Sequence, residues 1–152
     1  MKNTRQTTHT KGFTVIELIA VMVIIAVILG SVLAAVKGAT DNSRITSAIA
    51  SVRALQTASV NYYNNNGGSY SNLSLSTLAS NNLLPANFTS GTNANPWNGS
   101  IAVTPDSNAN YFDITFTNVP AGAATALTNA VTKLTQTPPT YTATSQTWTA
   151  AF

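Results

Sequence analysis

Lys11-Gly12-Phe13-Thr14-Val15-Ile16-Glu17-Leu18 marks the point at which the chain changes character. Residues 1–12, before it, are polar and basic and contain no acidic residue. Residues 13–36, FTVIELIAVMVIIAVILGSVLAAV, are almost wholly apolar. As a helix these 24 residues span ~36 Å at ~1.5 Å per residue, enough to cross a bilayer core of ~30 Å. Lys2, Arg5 and Lys11 flank the run on its N-terminal side and should hold that side in the cytoplasm. The remainder of the chain would then lie outside the inner membrane.

Two simpler readings of this segment are available. A secretory signal has a shorter apolar stretch followed by a small-residue cleavage site, and only Ala34-Ala35 offers one here. A plain membrane anchor explains the apolar run but not the Lys11-Gly12-Phe13 junction or Glu17. A carboxylate within a membrane span costs on the order of 2.5–3.5 kcal/mol, so Glu17 calls for a partner or a task, the simpler alternative being a carboxylate tolerated because it lies near one end of the helix and reaches the interface.

The combination of basic leader, Gly12, Phe13, Glu17 at the fifth place after the glycine and the apolar run resembles the processing site of type IV prepilins and pseudopilins. The resemblance implies that a membrane-bound prepilin peptidase cuts between Gly12 and Phe13 and then methylates the new Phe13 amine. Glu17 then sits one helical turn from a terminal ammonium. In a packed filament core an unpaired carboxylate is heavily penalised. Pairing with the Phe13 ammonium of a neighbouring subunit satisfies both groups and fixes axial register. Phe13 and Glu17 are thus the expected assembly residues.

Beyond residue 36 the pattern becomes amphipathic. Ile45, Ala48, Ile49, Val52, Leu55, Ser59 and Tyr62 recur at three- and four-residue steps, which predicts a continuing helix with one face against a domain. Asn64-Asn65-Asn66-Gly67-Gly68 should end it. A short helix is expected over 75–81, capped by Ser74, with Leu83, Leu84 and Phe88 packing it down. Asn95-Pro96-Trp97-Asn98-Gly99 reads as a turn into strands at 100–104 and 110–118, the latter with Phe112, Ile114 and Phe116 on one face. Pro120 opens a helix through Leu134, burying Ala123, Leu127, Val131 and Leu134. Residues 140–152 read as one more strand or a hairpin.

The expected organisation is a removed leader (1–12), a transmembrane and filament-core helix (13–36), its amphipathic continuation (37–66) and a globular head (67–152). The expected fold class is α+β: a long N-terminal α-helix packed through its outer half on an antiparallel β-sheet, as in pilins. The body also resembles the type IVb branch, in the group with conjugative thin-pilus and toxin-coregulated pilins. Leu84-Pro85, Asn95-Pro96-Trp97-Asn98-Gly99, Phe112-Asp113-Ile114-Thr115 and Asn118-Val119-Pro120 carry that likeness. The chain departs from the branch in its short leader and in having no cysteine. The family closes a C-terminal loop with a disulfide whose first cysteine follows the Val-Pro element. Ala123 and Ala124 occupy that region here, so the loop must hold by packing, through Trp148 and Phe152.

Composition narrows the function classes. Only 7% of residues are charged, against roughly 25% in ordinary soluble domains. The net charge of +3 comes from the leader, because Lys37, Arg44, Arg53 and Lys133 balance Glu17, Asp41, Asp106 and Asp113. No basic field remains to attract nucleic acid. The chain has no cysteine, and its one histidine, His9, lies in the leader. No catalytic residue, cofactor or metal ligand set is expected, and the chain reads as a structural subunit and not an enzyme. Asp106 and Asp113 read as turn and surface residues, with a weak calcium site as the alternative.

The expected partners are identical subunits in a helical filament, the prepilin peptidase, the inner-membrane pilus assembly machinery and, before assembly, the membrane itself. The resemblance leaves open a pseudopilin of type II secretion and a minor tip pilin acting as adhesin or receptor. Localisation follows as inner membrane before assembly and extracellular pilus after it.

Overall fold

A computed structural model describes residues 15–84, 88, 94–108 and 110–152. The first element, helix α1 (Val15–Asn65), begins with a run of Val and Ile. Branching at Cβ makes these mediocre helix formers in water. In an apolar environment the balance changes, because a helix satisfies every backbone N–H and C=O within the segment. The chain divides into two compact units, with the boundary between Ala39 and Thr40.

In the second unit, α1 supplies one wall of the core. Ala48, Val52, Leu55, Ala58, Ser59 and Tyr62 are buried, and Ile45 and Ile49 pack at the margin. This is the face given by the three- and four-residue spacing, with Ala58 added. The opposite face carries hydroxyls that bond back to carbonyls one turn earlier, as Thr46 does to Asn42 and Thr57 to Arg53. Gly67, at φ +68°, ends the helix in the left-handed region, and Gly68 N–H reaches back to the Tyr63 carbonyl at 3.0 Å.

Helix α2 (Leu75–Ser80) is capped by Ser74, whose hydroxyl accepts from Thr77 N–H, and it buries Leu75 and Leu78. Leu83, Leu84 and Phe88 pack against the core at its edge. Four strands follow: β1 (Ile101–Pro105), β2 (Phe112–Phe116), β3 (Thr140–Thr142) and β4 (Thr147–Ala151). They form one antiparallel sheet in the order β1-β2-β4-β3. Helix α3 (Ala121–Val131) lies between β2 and β3 in the chain. The return through α3 and the β3–β4 hairpin sets β4 beside β2.

Alternation places every second strand residue in the core. Ile101, Val103, Phe112, Ile114, Phe116, Trp148 and Ala150 are buried. Register aligns Ile101 with Phe116 and Phe116 with Trp148, so the largest side chains form one row across the sheet. The Phe116 and Trp148 rings stand 5.9 Å apart, tilted by 60°.

Several expected boundaries move. The first strand is shifted by one residue, to 101–105. The second contracts to 112–116, because Asp106 and Asn108 tie up the preceding loop. Helix α3 stops at Val131, and Leu134 is 42% exposed, not buried as expected. The reason lies in the chain that follows. Leu134 N–H turns back to the Val131 carbonyl, and Gln136 N–H bonds the Ala151 carbonyl beside β4. Pro138 and Pro139 then preclude further helix. The C-terminal region is a hairpin, the second of the two forms expected for it.

Candidate assembly interface

The N-terminal part of α1 has apolar residues on every face. Each large apolar side chain from Val15 to Val36 is exposed, from Val21 and Ile25 at 49% to Val15 at 77%. Its most apolar window of 18 residues reaches a mean hydropathy of 3.0, and none of that window is buried. Burial of such a side chain contributes about 1.5–3 kcal/mol, so the segment carries a large unrealised driving force. A helix apolar all round belongs in lipid or among other helices.

Glu17 lies in the first turn of α1 and is exposed. A helix dipole favours a negative charge in the first turn. Gly12 and Phe13, the expected processing residues, lie outside the described residues, as does His9.

In the second unit, the Asn95–Gly99 turn is a clamp built around one buried carboxamide. Asn95 is 4% exposed. Its Oδ1 accepts from Trp97 N–H at 2.9 Å and Gly99 N–H at 3.0 Å. Its Nδ2 donates to the carbonyls of Ser100 at 3.2 Å and Thr117 at 2.7 Å. The turn is thereby fastened to the end of β2. Gly99 is required by close approach: a Cβ there would stand 2.0 Å from the Thr117 carbonyl oxygen. Sequence reading identified the turn, but not that Asn95 and Thr117 join across it.

The C-terminal region is closed without a disulfide. Ala123 and Ala124 are buried in α3, and Trp148 and Phe152 are buried opposite them in the core. Trp148 Nε1 donates to Thr128 Oγ1 at 3.1 Å, linking β4 to α3. Phe152 stacks on Phe112 at 5.6 Å and exchanges two backbone hydrogen bonds with it. Val119 is held on both sides: its N–H bonds the Gln146 carbonyl, and its carbonyl accepts from the Tyr141 hydroxyl at 2.9 Å. Trp148 and Phe152 were legible as packing residues; Tyr141, Gln146 and Thr128 were not.

Asp106 serves the β1–β2 turn. Its Oδ1 accepts from the Ser107 hydroxyl at 2.6 Å and from Asn108 N–H at 3.0 Å, and these bonds hold the carboxyl below its usual range. Asp113, on the outer face of β2, is pushed up by partial burial and by the charge of Asp106. Among the described residues no three metal-ligating side chains gather.

An apolar N-terminal helix, an amphipathic continuation and a four-stranded antiparallel head define a type IV pilin subunit. The prokaryotic N-terminal methylation motif matches residues 8–33, covering Gly12, Phe13 and Glu17. The bundlin family matches residues 37–145, well over half of the chain, and the chain belongs to that family. No curated protein and no solved structure gives a significant match. Bundlin is a family of structural pilin subunits, which implies assembly with other pilin subunits in a filament. The methylation motif implies processing by a prepilin peptidase. The apolar helix and its signal fit a membrane-anchored subunit that is later assembled into a pilus.

Proposed function

We propose that prepilin peptidase cuts this subunit between Gly12 and Phe13 and methylates the Phe13 amine, and that Glu17 pairs with the Phe13 ammonium of a neighbouring copy during assembly. The observation that carries this reading is the exposure of α1 on all faces from Val15 to Val36, with one carboxylate in its first turn. Before assembly the segment lies in the inner membrane with its N-terminus cytoplasmic. The assembly machinery then transfers it from lipid into a bundle of like helices. Apolar surface is covered at both stages, so the transfer costs little hydrophobic free energy. Glu17 makes the exchange directional, since the bundle sets the Phe13 ammonium of a neighbouring copy beside it.

The subunit acts structurally and carries no catalytic step. We also place it with the type IVb branch. Support comes from the Asn95–Gly99 clamp and the doubly held Val119, two of the segments on which that likeness rests.

Glu17→Ala and Glu17→Gln test the pairing. Both variants should reach the membrane at parental levels and yield few or no filaments. Normal filament yield from Glu17→Ala would sink the pairing mechanism, and normal yield from Glu17→Gln alone would replace the ion pair by a neutral hydrogen bond.

A further inference from the structure

The chain contains two Asn-Gly pairs, Asn66-Gly67 and Asn98-Gly99. In such a pair the backbone nitrogen of the glycine can attack Cγ of the asparagine. The attacking nitrogen gives its proton to solvent base, a N–Cγ bond forms and the Cγ–Nδ2 bond breaks. Ammonia leaves, and a five-membered imide remains. Water then opens the imide at either carbonyl, returning a proton to the nitrogen and leaving an aspartate or an isoaspartate. No electrons are gained or lost, and water is the only co-reactant. The glycine favours attack because no side chain shields its nitrogen.

The two pairs have opposite surroundings. Gly99 N–H donates to Asn95 Oδ1 at 3.0 Å, and Gly99 is buried against the Thr117 carbonyl. Attack there requires breaking a buried hydrogen bond and dismantling the clamp. Asn66 and Gly67 are both exposed, beyond the last turn of α1. Gly68 N–H bonds Tyr63, but among the described residues Gly67 N–H has no hydrogen-bond partner, which leaves the nucleophile free to attack. A Cβ added at Gly67 would meet nothing within 4 Å, so space around the reacting atoms is open. One contact restrains the carboxamide: Asn66 Nδ2 donates to the Ser69 carbonyl at 3.0 Å, on an exposed surface.

We propose that Asn66 is a site of spontaneous deamidation in the folded subunit, while the fold protects Asn98. The conversion changes the charge of the head. Arg44, Arg53 and Lys133 balance Asp41, Asp106 and Asp113 in the second unit, so one new carboxylate leaves it with a net charge of −1. That carboxylate stands at the C-terminal end of α1, where the helix dipole disfavours it. It cannot donate to the Ser69 carbonyl as the amide did. It also borders a cleft of about 160 Å³ lined by Tyr62, Asn65, Asn66, Asn81 and Leu83, which becomes anionic.

The test is peptide mapping by mass spectrometry of the detergent-solubilised full chain, incubated at mildly alkaline pH with and without denaturant. In the folded chain Asn66 should convert at least about tenfold faster than Asn98, the factor that one buried hydrogen bond imposes on a barrier. In denaturant that gap should close. Equal rates in the folded chain would overturn the proposal, as would a gap of the same size in denaturant or an Asn66 rate no higher than that of asparagines lacking a following glycine. Asn66→Asp should reproduce the electrophoretic shift of the aged protein, and a different shift would mean that another site had reacted.

Discussion

Near its start, α1 exposes Val23, Ile24 and Ile25; farther along the same helix, Val52 and Leu55 are completely buried. The residue types are alike and the backbone is alike, so composition alone does not account for the difference. Apolar residues from 15 to 36 occupy every face, and no single surface of one small domain can cover them. From 45 to 62 most of them occupy one face, Val60 excepted, while Thr46 and Thr57 on the other satisfy their hydroxyls on the helix backbone. One stretch therefore depends on lipid or other copies of the chain, and the other on the chain's own sheet. A subunit that must leave a membrane and join a filament needs both. Its head has to fold once and stay folded, while its apolar stretch changes neighbours.

Paired substitutions can break that comparison. Trp148→Ala should lower the stability of the head by about 3–5 kcal/mol, because it empties the centre of the core and removes the bond to Thr128. Ile25→Ala should leave head stability within about 0.5 kcal/mol of the parent. Denaturant titration in detergent, followed by tryptophan or tyrosine emission, reads both. A comparable loss from Ile25→Ala would mean that the two stretches of α1 are not energetically separate.

A smaller effect sharpens the account of the buried face. Ser59 is fully buried, and among the described residues its hydroxyl has no hydrogen-bond partner. An unsatisfied buried hydroxyl is costly, so Ser59→Ala should stabilise the head by up to about 1 kcal/mol. A loss of stability in the same titration would show that the hydroxyl is satisfied after all.

The smallest effect concerns the outer face of the sheet. Asp113 has a raised pKa in the folded head, so the folded state holds its proton to higher pH than the unfolded state does. Its contribution is therefore fully present below the ordinary carboxylate range and is lost as pH rises through the folded value. Asp106 runs the other way: its lowered pKa stabilises above that range and is lost as pH falls. Asp113→Asn should give a small gain at neutral pH that fades in acid. A gain of equal size at all pH values would rule out ionisation as its cause.

Much of this was legible in the sequence because periodicity reports burial directly. The inward face of α1, the Phe112-Ile114-Phe116 row of β2 and the Ser74 cap follow from spacing and side-chain chemistry. The end of α3 was not legible, because Leu134 continues the helical pattern. What removes it from the core is a tertiary bond, Gln136 to Ala151, that no local rule contains. The same holds for Asn95 and Tyr141. Each is an ordinary polar residue in its own segment and becomes structural only when Thr117 or Val119 is brought beside it. The assembly stretch stood out because a carboxylate within an apolar run is so rarely tolerated.

Intact-mass and N-terminal mass spectrometry of filaments sheared from the cell surface, beside the membrane fraction, tests the central claim most directly: that the exposed apolar helix is kept in the mature subunit and is what the filament is built from. The account predicts one abundant sheared species beginning at a methylated Phe13. A sheared species beginning after Ala35, with the apolar helix removed, or one still beginning at Met1, would contradict it.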